Sequence, residues 1–331
     1  MKNILIGFLL IPMFWSCSVD SDKKKVQQEV ITTIEAQVIL PTYKMLYERV
    51  LDLQFSVEKL DVADSDALLH ARDSWLAARE IWEQSEGYIV NYAAVSHLKY
   101  QLDKYTLAKD LNEHKTIAQG AYQQLEELLW GQAGKKQAED LTNEELLAMN
   151  NAALAIAVST QKLLQHIHTE LGASPLQQSS EVSKHTYCRQ RMQRYIVNML
   201  DLTADIMHAK IDVPFNTSAT TLADMELESQ YSDNAKFDIM NNMLGLERLY
   251  LGNLDKDIND GLSAYVRSEN EVLDMQLTEA IAESKRAIAG LPESYAMALT
   301  HDRDALSFAK YKIKVVHDLI QDELLPIVQT L

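Results

Sequence analysis

The sequence predicts an all-α protein, and three observations carry that expectation. Only 10 Gly and 6 Pro interrupt 331 residues, so helix breakers are scarce. Leu, Ala, Glu, Gln and Met, all strong helix formers, abound. Apolar residues recur at helical spacing, as in Leu125, Leu128 and Leu129 within AYQQLEELLWGQ, Ala121 to Gln132. With 47% hydrophobic residues, the chain can bury a full core and supports two domains.

The formal charge of −17 argues against nucleic acid and against anionic membrane surfaces as partners. Residues 1–17 read as a secretion signal. Lys2 is the basic start, Ile4 to Trp15 the apolar run, and Ser16-Cys17 the end. The run is short for a bilayer span. Ser16 before Cys17 has the form of a bacterial lipoprotein cleavage site, with Phe14 and Trp15 bulkier than is usual there. A lipid on Cys17 would make the membrane contact an anchor and not a span. A plainly cleaved signal peptide is the alternative. The polar stretch 18–25 then serves as a tether. Its Ser18 to Asp22 part resembles the acidic export tags of Bacteroidetes surface lipoproteins, so the expected location is the outer membrane, exposed at the surface. Cys188 is the one remaining cysteine, and no structural disulfide is expected.

Residues 26–171 read as an N-terminal helical bundle. Val26 to Leu60 is one long helical pattern that Pro41 should kink or break near Leu40. Asp64 or Ser65 can cap the helix Asp66 to Ala94. On it Trp75, Arg79, Trp82 and Glu86 share one face. The plain reading is a packed tryptophan stripe holding a buried Arg–Glu pair. The sharper reading is a ligand site lined by Arg79, Ser85 and Glu86. Asn91 to Lys115 is less regular. In the helix from Ala121, Gln123 and Glu126 are neighbours three residues apart, and Trp130-Gly131 ends it, with Gly131 suited to the C′ position. Thr142 and Glu145 form a capping box for the helix that runs to Leu171. Residues 172–184, GASPLQQSSEVSK, are the most linker-like segment. The C-terminal bundle, 185–331, carries helices over His185 to Asp212, Gly261 to Ala289 and Asp302 to Gln329, and a Thr/Ser-rich loop at Ala219 to Asn234. Each half has a Ser-Glu or Glu-Ser pair beside an aromatic and a similar helix count, which hints at internal duplication of a four-helix unit.

These segments resemble the imelysin-like family, the peptidase M75 type that includes iron-regulated envelope proteins. Its signature is Gly-x-His-x-x-Glu running on to Leu-Leu-Trp-Gly. Glu126 and Leu128-Leu129-Trp130-Gly131 match it, while Ala121 stands for the glycine and Gln123 for the histidine. Ala78-Arg79 to Glu86 is similar to the family's Ala-Arg-x-x-Trp-Glu-x-Ser-Glu run through Glu83, Ser85 and Glu86. Tyr100 to Asp103 is a weak echo of Trp-Pro-Leu-Asp. Glu228, Ser229, Ser232, Asp238 and Asn242 match the second block. The resemblance covers residue 30 to the C-terminus. It implies two helical bundles packed side by side, with the signature helix near their junction.

The chemistry is less well matched. No His-Glu-x-x-His and no Gly-x-Ser-x-Gly occurs. The Gln123 amide is no general base and a weaker transition-metal ligand than imidazole. Both facts speak against a peptidase. Outside the family motifs, Asp201, Asp205, His208 and Asp212 repeat along one helix, which makes Asp205 and His208 candidate metal ligands; a solvated acidic face is the plain reading. The expectation is a lipid-anchored envelope protein that binds a small ligand or a metal, iron or another divalent ion, at the junction. Its candidate residues are Gln123, Glu126, Arg79, Ser85, Glu86, Trp130, Glu228 and Ser229. A non-catalytic scaffold for another envelope protein is the alternative.

Overall fold

The structure, a computed structural model, describes residues 15–89, 92–103, 120–131, 134–174, 176, 180–216, 227–252 and 260–329. Among the described residues there are helices and no strand.

Pro41 shapes the first long segment. Helix α1 (Trp15–Thr33) runs into a π-helical stretch, Ile34–Ile39, and continues as α2 (Leu40–Glu58). Proline has no N–H to give to the preceding turn, and the widened turn before it lets the chain continue without a break. Because α1 begins at Trp15, the polar residues 18–25 are helical here, and Lys23 bonds Glu269 of the second half at 2.7 Å.

The first bundle continues with α3 (Ser65–Ser85), α4 (Tyr92–Leu102), α5 (Ala121–Trp130) and α6 (Asn143–Gly172). Helix α2 packs on α3 and α6, and α4 and α5 pack on α6. The expected caps form. Asp64 accepts from the Ala67 N–H at 2.9 Å, and Thr142 and Glu145 close their reciprocal box. Gly131 ends α5 at φ 70°, a conformation that favours glycine. Helix α3 stops at Ser85, well before Ala94, and Glu86–Tyr88 is a 3-10 turn. Gly87 is a poor helix former.

The second bundle opens with α7 (Glu181–Asp205), capped by Ser180 and so starting before His185. A π-helical stretch, Ile206–Asp212, follows, and then α8 (Val213–Asn216). Next come α9 (Ala235–Leu251), α10 (Leu262–Glu269) and α11 (Glu271–Ala289). The expected single helix over Gly261 to Ala289 is divided because Asn270 turns out of the helix and caps α11, accepting from the Leu273 N–H at 3.1 Å. Helices α12 (Tyr295–His301) and α13 (Arg303–Leu319), a π stretch Ile320–Leu324, and α14 (Leu325–Gln329) complete the chain.

Helix α11 lies on α9 and α13, and α13 on α7. Helix α1 crosses over to α7 and α10, and its Val30 and Ile31 are buried. The bundles lie side by side and meet where α3 crosses α9. Gly245 makes that crossing possible: a Cβ there would sit 2.2 Å from the Gln84 carbonyl oxygen. One apolar cluster runs through both bundles.

Candidate functional site

The crossing of α3 and α9 brings a set of charged side chains together in the interior. Arg79 on α3 is fully buried. Its Nη2 lies 2.7 Å from Glu83 Oε1 and 3.0 Å from Glu228 Oε1, its Nη1 pairs with Asp103 Oδ2, and its Nε is 3.7 Å from Asp238 Oδ1. Lys210 approaches from the other side. Its Nζ lies 2.7 Å from Glu83 Oε2, 2.7 Å from Glu228 Oε2 and 3.3 Å from Glu86 Oε2. Glu83 and Glu228 therefore each span two cations, giving one oxygen to Arg79 and the other to Lys210. Asn242 on α9 donates to Glu83 Oε2 at 2.9 Å and Glu86 Oε2 at 3.1 Å. Lys99 on α4 stands 3.9 Å from Glu86 Oε1.

The signature helix α5 closes one wall. Gln123 donates to Asp103 Oδ1 at 2.6 Å, and the Trp82 indole N–H donates to Asp103 Oδ2 at 3.1 Å. Among the described residues, the buried polar atoms here without a hydrogen-bond partner include three on uncharged side chains: Gln123 Oε1, Tyr122 Oη and Asn242 Oδ1. Glu126 points differently. Its Oε1 accepts from the Tyr231 N–H at 3.0 Å, the Ser232 N–H at 2.8 Å and the Ser232 hydroxyl at 2.6 Å. Its carboxylate thus holds the turn before α9 onto α5.

Carboxyl groups outnumber cations here. Among the described residues Glu83, Glu86, Asp103, Asp205, Glu228 and Asp238 face Arg79, Lys99 and Lys210, all buried. Burial acts to raise Glu83, Glu86, Asp205, Glu228 and Asp238, and the cations offset it unequally. Burial pushes Glu228 up to about 8 and Asp205 to about 7, the pull of Lys210 on both notwithstanding. Glu83 is also held well above its usual range by burial, against Arg79. Glu86 goes the other way: burial raises it, but Lys210 and Lys99 outweigh that and bring it below the usual value. Burial lifts Glu126 to about 7, with Ser232 opposing. Part of this cluster therefore holds protons near neutral pH.

The residues expected at the site divide. Arg79, Glu86, Gln123 and Glu228 meet in the cluster. Ser229 supports it, its hydroxyl donating to Asp238 Oδ2 at 2.5 Å. Ser85 is buried beside it but turns its hydroxyl back to the Trp82 carbonyl at 2.7 Å. Trp130 packs edge-on against Trp75 with ring centroids 5.3 Å apart and lies under the Arg72 guanidinium, which is 5.5 Å from the Trp130 ring centroid. Asp205 is buried with the cluster, whereas the His208 side chain is 72% exposed and bonds Asp212 at 3.2 Å. The π-helical stretch from Ile206 changes the residues-per-turn count, so the four-residue register does not carry through it. Asp205 and His208 therefore share no face and no ligand position.

Sequence reasoning left Lys99 and Lys210 out of the site altogether and gave Asp103 only a weak echo. One signal was available for the lysines. Lys210 stands between Met207 and Ile211, and Lys99 between Val95 and Leu102, each on a buried stripe.

Fold and site together define a class: all-α proteins of two side-by-side bundles with an ion-pair cluster buried at their junction. The chain belongs to the imelysin family, whose sequence model (Peptidase_M75, Imelysin) matches residues 39–319. Iron-regulated protein A of Synechococcus elongatus is 22% identical over 316 residues, 92% of this chain and 87% of that protein. A solved structure from Parabacteroides distasonis, described as an iron-regulated protein A precursor, superposes with a TM-score of 0.75. It is 21% identical and covers 90% of this chain and 95% of its own. An imelysin-like protein from Psychrobacter arcticum gives a TM-score of 0.63 at 18% identity, covering 92% and 96%.

A metal ion is the obvious guest to test. Oxygens of Glu83, Asp103 and Glu228 lie within 4.8 Å of one another, a spacing that one hard divalent cation can bridge. Arg79 stands among those same three carboxylates. Its guanidinium already pairs with Glu83 Oε1, Glu228 Oε1 and Asp103 Oδ2, so an ion could enter only by displacing it. The group as it stands does not fit a metal.

Proposed function

We propose that this chain is a lipid-anchored cell-envelope binding protein with a role tied to iron supply. In it Gln123 occupies the place of the family histidine, and the junction cluster takes a small ligand, not a bare metal ion. The observation that carries the reading is the set of buried orphan atoms, Gln123 Oε1, Tyr122 Oη and Asn242 Oδ1. A buried polar atom without a partner is costly, and such atoms in a folded protein point to an absent guest or water. Two of the three are amide oxygens that only accept, so the ligand offers N–H or O–H donors. Relatives named as iron-regulated support the connection to iron; regulation by iron does not require that iron be bound. Among the described residues, no histidine–base–nucleophile constellation supports a peptidase reading.

The anchor reading rests on Ser16-Cys17. No helix among the described residues is long and apolar enough to cross a membrane. Retention of the full chain in the detergent phase, lost in Cys17→Ser, is the result expected of it.

The binding test is a thermal-shift series on the full chain with ammonium- and amide-bearing small molecules, beside Gln123→Leu. Stabilisation that disappears in Gln123→Leu supports the reading. Equal shifts in both proteins, or none in either, would favour the second reading, a scaffold for an envelope partner. The observation behind that alternative is that Arg79 and Lys210 tie carboxylates of both bundles together.

A further inference from the structure

The three-carboxylate group at the junction has the donor set of a metal site and holds a side-chain cation in its place. Glu83 comes from α3, Asp103 from the end of α4, and Glu228 from the turn before α9. All three are buried, and their nearest oxygens converge within 4.8 Å. Each of them contacts Arg79, whose Nη2 serves both Glu83 and Glu228 while its Nη1 serves Asp103. The planar guanidinium fork matches this arrangement and stays protonated at every accessible pH, so acid or base does not vacate the position. Lys210 fixes the outer oxygens of Glu83 and Glu228, and Gln123 and Trp82 fix Asp103. The inner oxygens are thus oriented by groups other than Arg79.

We propose that Arg79 is the resident cation of this cage, and that its guanidinium, seated between the three carboxylates, keeps hard divalent metals out of the junction. Removing it would turn Glu83, Asp103 and Glu228 into an all-oxygen site for an ion such as Mn²⁺. The donor set contains no imidazole and no thiolate, so it suits a hard ion over zinc or copper. The inference deepens the reading of the junction as a site closed to bare metal, and it stands or falls separately, because its readout is metal occupancy and not capture of an organic ligand.

The experiment is Mn²⁺ titration of the full chain, followed by the electron-spin signal of free Mn²⁺. The proteins are the natural chain, Arg79→Ala and Arg79→Ala/Glu228→Gln. The natural chain is expected to take up no stoichiometric Mn²⁺. Arg79→Ala should bind one equivalent, at least tenfold tighter than the natural chain, and the double variant should lose most of that gain. Should Arg79→Ala fail to fold alone, refolding with Mn²⁺ should restore its helical circular dichroism, since the ion replaces the missing charge. One tight equivalent in the natural chain that vanishes in Glu228→Gln would overturn the proposal. So would a folded Arg79→Ala without Mn²⁺ affinity, or one that Mn²⁺ does not rescue.

Discussion

Arg79 Nη2 and Glu228 Oε1 lie 3.0 Å apart across the junction, both side chains buried. They belong to different halves of the chain, so the pair joins the two bundles through charge as well as through apolar packing. Lys210 takes the other oxygen of Glu228 at 2.7 Å. The energetics of the junction depend on all three together, which sets the first prediction.

Lys210→Met should destabilise the fold by about 3–5 kcal/mol at neutral pH, the usual cost of stripping one partner from a buried ion-pair group. It leaves Glu83, Glu86 and Glu228 facing fewer cations. The deficit should shrink as pH falls from 8 to 5, because Glu228, which titrates near 8, takes up its proton over that range. Urea unfolding at both pH values measures it; equal deficits at pH 5 and pH 8 would mean that the lysine acts through packing alone.

The natural chain should lose stability as pH rises from about 5 to about 8.5. Glu126 and Asp205 titrate near 7 and Glu228 near 8, each above its unfolded value because of burial. A raised carboxyl binds its proton more tightly in the folded state. Its contribution is therefore fully present below the unfolded pKa and is lost as pH climbs through the folded one. A melting temperature several degrees lower at pH 8.5 than at pH 5.5 is expected, and a flat or rising profile would contradict the assignment.

Glu126→Ala should leave total helix content unchanged, since alanine suits α5. It removes the acceptor for the Tyr231 and Ser232 N–H groups and the Ser232 hydroxyl, at a cost of about 1–3 kcal/mol. Faster amide exchange confined to the turn at 229–234 is the signature to look for. Glu126→Gln, which keeps an acceptor oxygen, should recover most of the protection.

Gly245→Ala places a methyl group 2.2 Å from the Gln84 carbonyl oxygen. Backbone on both sides leaves nothing flexible to move, so α3 and α9 must separate, and a loss of about 1–3 kcal/mol or more is expected. A variant with full stability would show that the helices can slide apart freely.

Much of the local structure was legible in the residues. Asp64, Thr142 and Glu145 cap where their side chains can reach an N–H three residues on, and Gly131 ends α5. These are short-range interactions written within one turn of helix. The division at Asn270 and the early end of α3 were missed because the apolar periodicity on either side is continuous, and a local turn overrides it. The buried face shared by Trp75, Arg79, Trp82 and Glu86 was also legible, since its periodicity lies on one helix.

By itself, then, the sequence determined the all-α class, the caps, and the buried stripe that carries Arg79 and Glu86, because each depends on neighbours within a few residues. The tertiary structure alone decided the rest. It brought Lys210, Lys99 and Asp103 to Arg79, turned Glu126 to the turn of the second bundle, and put Asp205 inside and His208 outside. The reason is physical: a charge is accepted in the interior only when partners from other helices arrive to meet it. Those partners lie 24 residues away for Asp103 and 127 for the Lys210–Glu83 pair, separations over which periodicity carries no information.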